Sequence, residues 1–326
     1  MQERCVTKMK KMISLILAFS LTAGLCACAK TDSKKYIAVI AKAVNSDFWH
    51  NVNNGVLSAA TEYNVSVTFE GPENEEDYDA QNALIETAVK NGADAIVLSA
   101  IDYNNSVDAV NAAIREGVKV VTIDSDVNSD AVSLFIGTDN IAAGKEAGKA
   151  AVDGFDVDSE IIIGLVNYNA DTDNGNQREK GFREYISTVS NARIAASVTA
   201  ESNEVSATAA AERLLKQNPR INVIVGFNEW MTLGVGNAVK NLGLSKNVRS
   251  VGFDSNIISV SMLETGEMDA LIVQNPFAIG YLGVEKAAAL ISGESIPSGE
   301  VYTDVTTVTK KNLFDDDIQK ILFRFK

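Results

Sequence analysis

Two large rings, Phe48 and Trp49, adjoin in the stretch Asn45-Ser46-Asp47-Phe48-Trp49 that follows the apolar run 36–41. Later apolar runs end on polar groups. Ser99 closes the run 95–99, and Asp124 and Ser125 follow 119–123. Arg178 lies in the polar segment after 161–167, Asn228 follows 221–227, Asp254 follows 248–253 and Gln274 follows 269–273. A carboxylate accepts hydroxyl hydrogen bonds, a guanidinium donates several, and an amide does both. Bonds to charged groups are the stronger ones. Flat rings cover patches of C–H groups. Such a set suits a ligand with hydroxyl edges and an apolar face, which is the surface of a sugar. Phe48 and Trp49 are expected as stacking plates at a cleft wall. Plainer roles exist beside these. Asp47 can cap the helix it begins, Trp49 shares an apolar stripe with Val52 and Val56, and Asp124 and Asp254 suit turns after strands. Arg178 has Glu179 and Lys180 beside it and can belong to a solvated face.

Catalytic chemistry finds little support. His50 is the only histidine, so a Ser-His-Asp triad would have to use it. Paired carboxylates about 5–10 Å apart can hydrolyse glycosides, but Asp124 and Asp254 are more simply hydroxyl acceptors that Arg178 keeps ionised. Gly234-Val235-Gly236 has Val239 where a dinucleotide fingerprint needs its third glycine, and it falls inside a helical pattern. The acidic run Glu73, Glu75, Glu76, Asp77 and Asp79 lacks the order and glycine of a calcium loop and reads as a solvated loop. The chain has no Walker A loop. No enzyme activity, cofactor or metal centre is expected.

Groups that converge from strand ends require strands that end at a common edge. Apolar runs at 36–41, 65–70, 95–99, 119–124 and 133–137 alternate with segments of helical period, such as Trp49, Val52, Val56, Ala60 and Tyr63. The pattern restarts beyond a seam near Gly137–Gly144, with strands expected at 161–167, 192–200, 221–227, 248–254 and 269–274. Helices are expected near 176–189, 205–217, 230–242 and 277–292, and a last strand at 301–308. This is the signature of βαβ units: an α/β protein of two similar halves, each a parallel sheet flanked by helices. In such sheets ligands bind beyond the carboxyl ends of the strands.

The chain has 326 residues, enough for about two domains. Arg4, Lys8, Lys10 and Lys11 precede an apolar run, Ile13–Leu25, too short for a confident membrane span. Residues 1–27 therefore read as a signal peptide. Leu25-Cys26-Ala27-Cys28 resembles a lipobox, with cleavage expected before Cys28, which would carry lipid, and residues 28–35 a tether. All three cysteines lie in the first 28 residues, so the mature chain would have no disulfide. Removing residues 1–27 takes away four basic residues and one acidic one, leaving 25 basic and 42 acidic, a net charge of −17. That field repels phosphate backbones and excludes nucleic acid as a partner class.

The segments NSDFW, VTIDSD, IGTDNIAAGK, NQREKGF, VGFNEWMTLG, VGFDSN and ALIVQNPFAIG, in this order from about Tyr36 to Lys310, resemble the ribose/galactose type of periplasmic sugar-binding protein, the receptor of ABC importers. The resemblance implies two Rossmann-like lobes joined by a three-strand hinge and closing over one sugar. The lobes would be 36–138 plus about 276–303, and 139–275 plus about 304–326. By motif it implies that Phe48, Trp49, Asp124, Arg178, Asn228, Asp254 and Gln274 bind ligand, and Asn45, Ser99 and Ser125 are expected to bind it with them. Ser99 and Ser125 stand where ribose binders have Asn and Arg. The segment Glu201–Glu204 holds no ring where the second lobe would be expected to supply one, which leaves Trp230 as the candidate. The expectation is a monomeric, lipid-anchored receptor outside the cytoplasmic membrane that delivers a monosaccharide to an ABC permease with its ATPase. The alternative is a receptor that presents its ligand to a membrane sensor kinase or chemoreceptor.

Overall fold

A computed structural model describes residues 34–169, 171–296 and 298–323. The expected signal peptide, Cys28 and most of the tether lie outside them. The first half runs β1 (Tyr36–Ile40), α1 (Asp47–Glu62), β2 (Ser66–Glu70), α2 (Tyr78–Lys90), β3 (Ala95–Leu98), α3 (Val107–Arg115), β4 (Lys119–Ile123) and β5 (Phe135–Thr138). The second runs α4 (Asn140–Val152), β6 (Ile161–Tyr168), α5 (Asp173–Ile186), β7 (Ala192–Ala200), α6 (Glu204–Gln217), β8 (Val223–Gly226), α7 (Glu229–Asn241), β9 (Arg249–Phe253), α8 (Ile257–Thr265) and β10 (Ala270–Val273). The chain continues through α9 (Pro276–Ile291), β11 (Glu300–Thr303), β12 (Thr306–Thr309) and α10 (Asp316–Leu322).

Two six-stranded sheets result, in the orders β11-β5-β4-β3-β1-β2 and β12-β10-β9-β8-β6-β7. All pairings are parallel except β10 with β12. The near-continuous apolar sequences of β1, β3, β4, β8, β9 and β10 follow from helices covering both faces. The chain passes between the lobes three times: from β5 to α4, from β10 to α9, and from β11 to β12. The run 301–308, expected as one strand, is thus two, broken at Asp304-Val305 and shared between the sheets. Helix α10 carried no expectation. Among the described residues no helix is long and apolar enough to cross a membrane.

Helix packing rests on glycine crossings. A Cβ on Gly55 of α1 would lie 2.1 Å from the Phe277 carbonyl oxygen of α9, and one on Gly280 would lie 2.1 Å from that of Val52. In the other lobe, Gly144 of α4 and Gly181 of α5 stand equally close to the carbonyl oxygens of Arg178 and Ile141. Two backbones can meet at that distance only without side chains.

Candidate functional site

Loops beyond the strand ends of both sheets meet around one buried cavity. The first lobe contributes Lys42, Ser46, Phe48, Trp49, Glu75 and Asp124. The second contributes Tyr168, Asn174, Arg178, Asn228, Glu229, Trp230, Asp254 and Gln274. A larger cavity of mixed polar and apolar lining opens beside the hinge between Val273, Pro276, Phe277, Asp304, Ile321 and Leu322, and shares Phe48, Asp254 and Gln274 with the first. The smaller cavity is the candidate site, because most of the cationic, anionic and aromatic groups converge there.

Asp124 follows β4 with φ 59°, and Asp254 follows β9 with φ 67°. Left-handed backbone is tolerated by Asp better than by most residues. In each case the backbone N–H donates to the neighbouring strand, at Ile136 O and Ile272 O respectively. The two carboxylates thereby occupy equivalent places in the two lobes, but their surroundings differ. Asp124 accepts from Ser99 Oγ at 3.0 Å and from Asn174 Nδ2 at 3.1 Å, and pairs with Lys42 Nζ at 3.3 Å. Lys42 also donates to Asn174 Oδ1, which accepts from the Tyr168 hydroxyl as well. Asp254 accepts from Gln274 Nε2 at 2.6 Å. Burial pushes its carboxyl up to about 6, against the opposing charge of Arg178. Gln274 is itself oriented by Thr138 Oγ1, which donates to Oε1 at 2.7 Å across the hinge.

Arg178 is 1% exposed on α5. Its Nε donates to Asn140 Oδ1, Nη1 donates to the Phe227 carbonyl, and the guanidinium lies 4.8 Å over the Phe253 ring. Its Nη2 is buried with no hydrogen-bond partner in the protein. A donor so placed suits a ligand oxygen, since leaving it unpaired costs about 1–3 kcal/mol.

Ser46, not Asp47, caps α1, accepting from Trp49 N at 3.3 Å. Phe48 and Trp49 pack edge to face, with centroids 5.0 Å apart, and both are buried. Trp49 belongs to the apolar stripe of α1 and also lines the cavity. Its Nε1 donates to Glu75 Oε1 at 2.8 Å. Asn228 caps α7, accepting from Met231 N. Glu229 beside it accepts from Asn256 Nδ2 at 2.8 Å and, across the cleft, from Phe48 N at 3.2 Å. Burial foremost, with the charge of Asp254 adding, pushes Glu229 up to about 7.

Of the expected residues, the structure brings Phe48, Trp49, Asp124, Arg178, Asn228, Asp254 and Gln274 to the cavity, and Trp230 with them. Asn45 is not brought there: it is exposed, and its amide donates to the Glu73 carbonyl. Ser99 lies behind Asp124 as its hydrogen-bond donor, and Ser125 is fully buried without lining the cavity. The acidic run is solvated only in part: Glu73, Asp77 and Asp79 are exposed, but Glu75 and Glu76 are not. Glu75 enters the cavity, and Glu76 accepts from Ser202 N of the other lobe at 2.6 Å. Sequence reasoning did not select Lys42, Glu75, Tyr168, Asn174 or Glu229. Lys42 and Tyr168 stand at the carboxyl ends of β1 and β6, so the strand-end rule applied at every strand would have found both.

The side chain of His50 is 64% exposed, far from serving as a buried base. Among the described residues no three His, Cys, Asp or Glu groups are placed to hold a metal ion. The cavity instead combines hydroxyl-matching groups with aromatic walls.

Residues 37–295 match the family model described as periplasmic binding protein domain. The D-allose-binding periplasmic protein of Escherichia coli K12 is 28% identical over 268 residues, covering 80% of this chain and 86% of its own. A carbohydrate transporter solute binding protein from Agrobacterium radiobacter, solved in complex with D-arabinose, has a TM-score of 0.86 at 27% identity, over 89% of this chain and 99% of that one. An ABC transporter solute binding protein from Agrobacterium vitis with bound D-fucose has a TM-score of 0.84 at 32% identity, over 88% and 100%.

Proposed function

Because the chain belongs to the periplasmic binding protein family, we propose that it captures a monosaccharide outside the cytoplasmic membrane and delivers it to an ABC permease. The observation that carries this reading is the buried cavity between two hinged lobes, where Phe48, Trp49 and Trp230 meet Asp124, Arg178, Asn228 and Asp254. The rings cover the C–H face of a pyranose or furanose, and the charged groups take its hydroxyls. The relatives named above that carry allose, arabinose or fucose in their descriptions support the ligand class. Closure about the three crossings sequesters the ligand, as hinged binding proteins do.

A thermal-shift screen against monosaccharides tests the reading. A ligand at a hundred times its dissociation constant adds about 2.7 kcal/mol of stability. Arg178→Ala and Asp254→Ala should each abolish the shift while the proteins still melt cooperatively. Full affinity in both variants would refute this assignment of the site. The lipid anchor at Cys28 belongs to the same reading. Cys28→Ser should release the protein from membranes into the soluble fraction, and unchanged membrane retention would remove the anchor.

A further inference from the structure

Four carboxylates and two cations line the candidate cavity: Glu75, Asp124, Glu229 and Asp254 against Lys42 and Arg178. Among the described residues, Lys42–Asp124 is the only ion pair these six side chains make. Arg178 is held by Asn140, Phe227 and the Phe253 ring, and its charge acts on Asp254. Glu75 and Glu229 remain without a cation. They are only 9% and 7% exposed. Each is fixed beside a ring: Glu75 accepts from the Trp49 indole, and Glu229 accepts from the Phe48 N–H and precedes Trp230. Buried carboxylates without a counter-charge are costly. The Trp49 N–H edge and the Phe48 N–H give these carboxylates neutral hydrogen bonds, which do not supply a counter-charge. Burial first, and then the charge of Asp254, push Glu229 up to about 7, with no positive neighbour to oppose them.

We propose that this cavity takes a polyhydroxylated ring bearing an ammonium group, an amino sugar, in preference to a neutral sugar. The inference rests on the monosaccharide reading above and narrows it. The ammonium answers Glu75 and Glu229 within the aromatic walls, and Arg178, Asn228 and Asp254 are left for hydroxyls. The net charge of −17 on residues 28–326 also draws a cation toward the cleft.

Calorimetric titration of the mature chain near neutral pH with matched pairs tests this: D-glucosamine and D-glucose, D-galactosamine and D-galactose, D-mannosamine and D-mannose. At least one amine should bind ten times more tightly than its parent, and that preference should shrink as salt is raised. In Glu75→Gln and Glu229→Gln the ratio of amine to parent affinity should fall toward one, with cooperative melting confirming that both variants fold. Parents that bind as tightly as their amines overturn the proposal and leave the monosaccharide reading standing. A preference that survives both substitutions and high salt also overturns it. Absence of binding in both arms overturns the proposal, and the monosaccharide screen above then decides the reading on its own.

Discussion

Glu229 and Asp254 share a burial-driven rise, and its sign fixes how stability varies with pH. A carboxyl raised in the folded state holds its proton more tightly folded than unfolded. The contribution of these two groups to the stability of the unliganded protein is therefore full below their ordinary values and is lost as pH climbs toward about 6 for Asp254 and about 7 for Glu229. For Glu229, a rise from 4.5 to about 7 corresponds to about 3 kcal/mol. Urea melts at pH 5 and pH 8 should show the decline, and Glu229→Gln should flatten it. Equal slopes in variant and parent would sink the account. At this scale the sequence was legible where a residue directly follows a strand, as with Asp124, Asp254 and Gln274. It was not legible where facing depends on a loop's path. Glu75 has the same local sequence character as Glu73, yet only Glu75 reaches the indole of Trp49. Asn45 has the right chemistry in the right motif and still turns to the Glu73 carbonyl.

Elements place these groups through close helix approaches. Gly144 of α4 sits against the carbonyl of Arg178, so the crossing of α4 and α5 sets where the guanidinium emerges. Gly144→Ala should cost about 3 kcal/mol through overpacking and also weaken sugar binding, because α5 must shift. Gly55→Ala, at the crossing of α1 and α9, should destabilise similarly. Chemical denaturation of both variants checks the first effect, and ligand titration of Gly144→Ala checks the second. Wild-type stability in either variant would show that the crossing has slack. Most elements were readable from the alternation of apolar runs and helical stripes, because buried parallel strands leave long apolar signatures. The run 301–308 misled because nothing in its β-rich sequence marks the change of sheet. Only the pairing of β11 with β5 and of β12 with β10 separates its halves. Helix α10 is too short for its period to stand out.

Residues 35–326 form a clasp whose two sides touch outside the cavity as well as within it. Thr172 Oγ1 donates to the Ile101 carbonyl at 2.9 Å, and Ser202 N donates to Glu76. Under the proposed closure, opening the cleft would break these bonds, so they would bias the hinge equilibrium without meeting the ligand. Glu76→Ala removes one bond of about 1 kcal/mol and should lower sugar affinity about fivefold. Titration measures that, and an unchanged affinity would mean that closure does not depend on this rim.

The late crossing from β11 to β12 has a consequence for biosynthesis. The edge strand of the first sheet pairs with a segment about 165 positions earlier in the chain, and the second sheet receives its own edge a few residues afterwards. Neither sheet is therefore complete until residues 300–309 have been made. Pairing over such separations is slow, so a growing chain stopped before residue 300 should remain open to proteases throughout both halves.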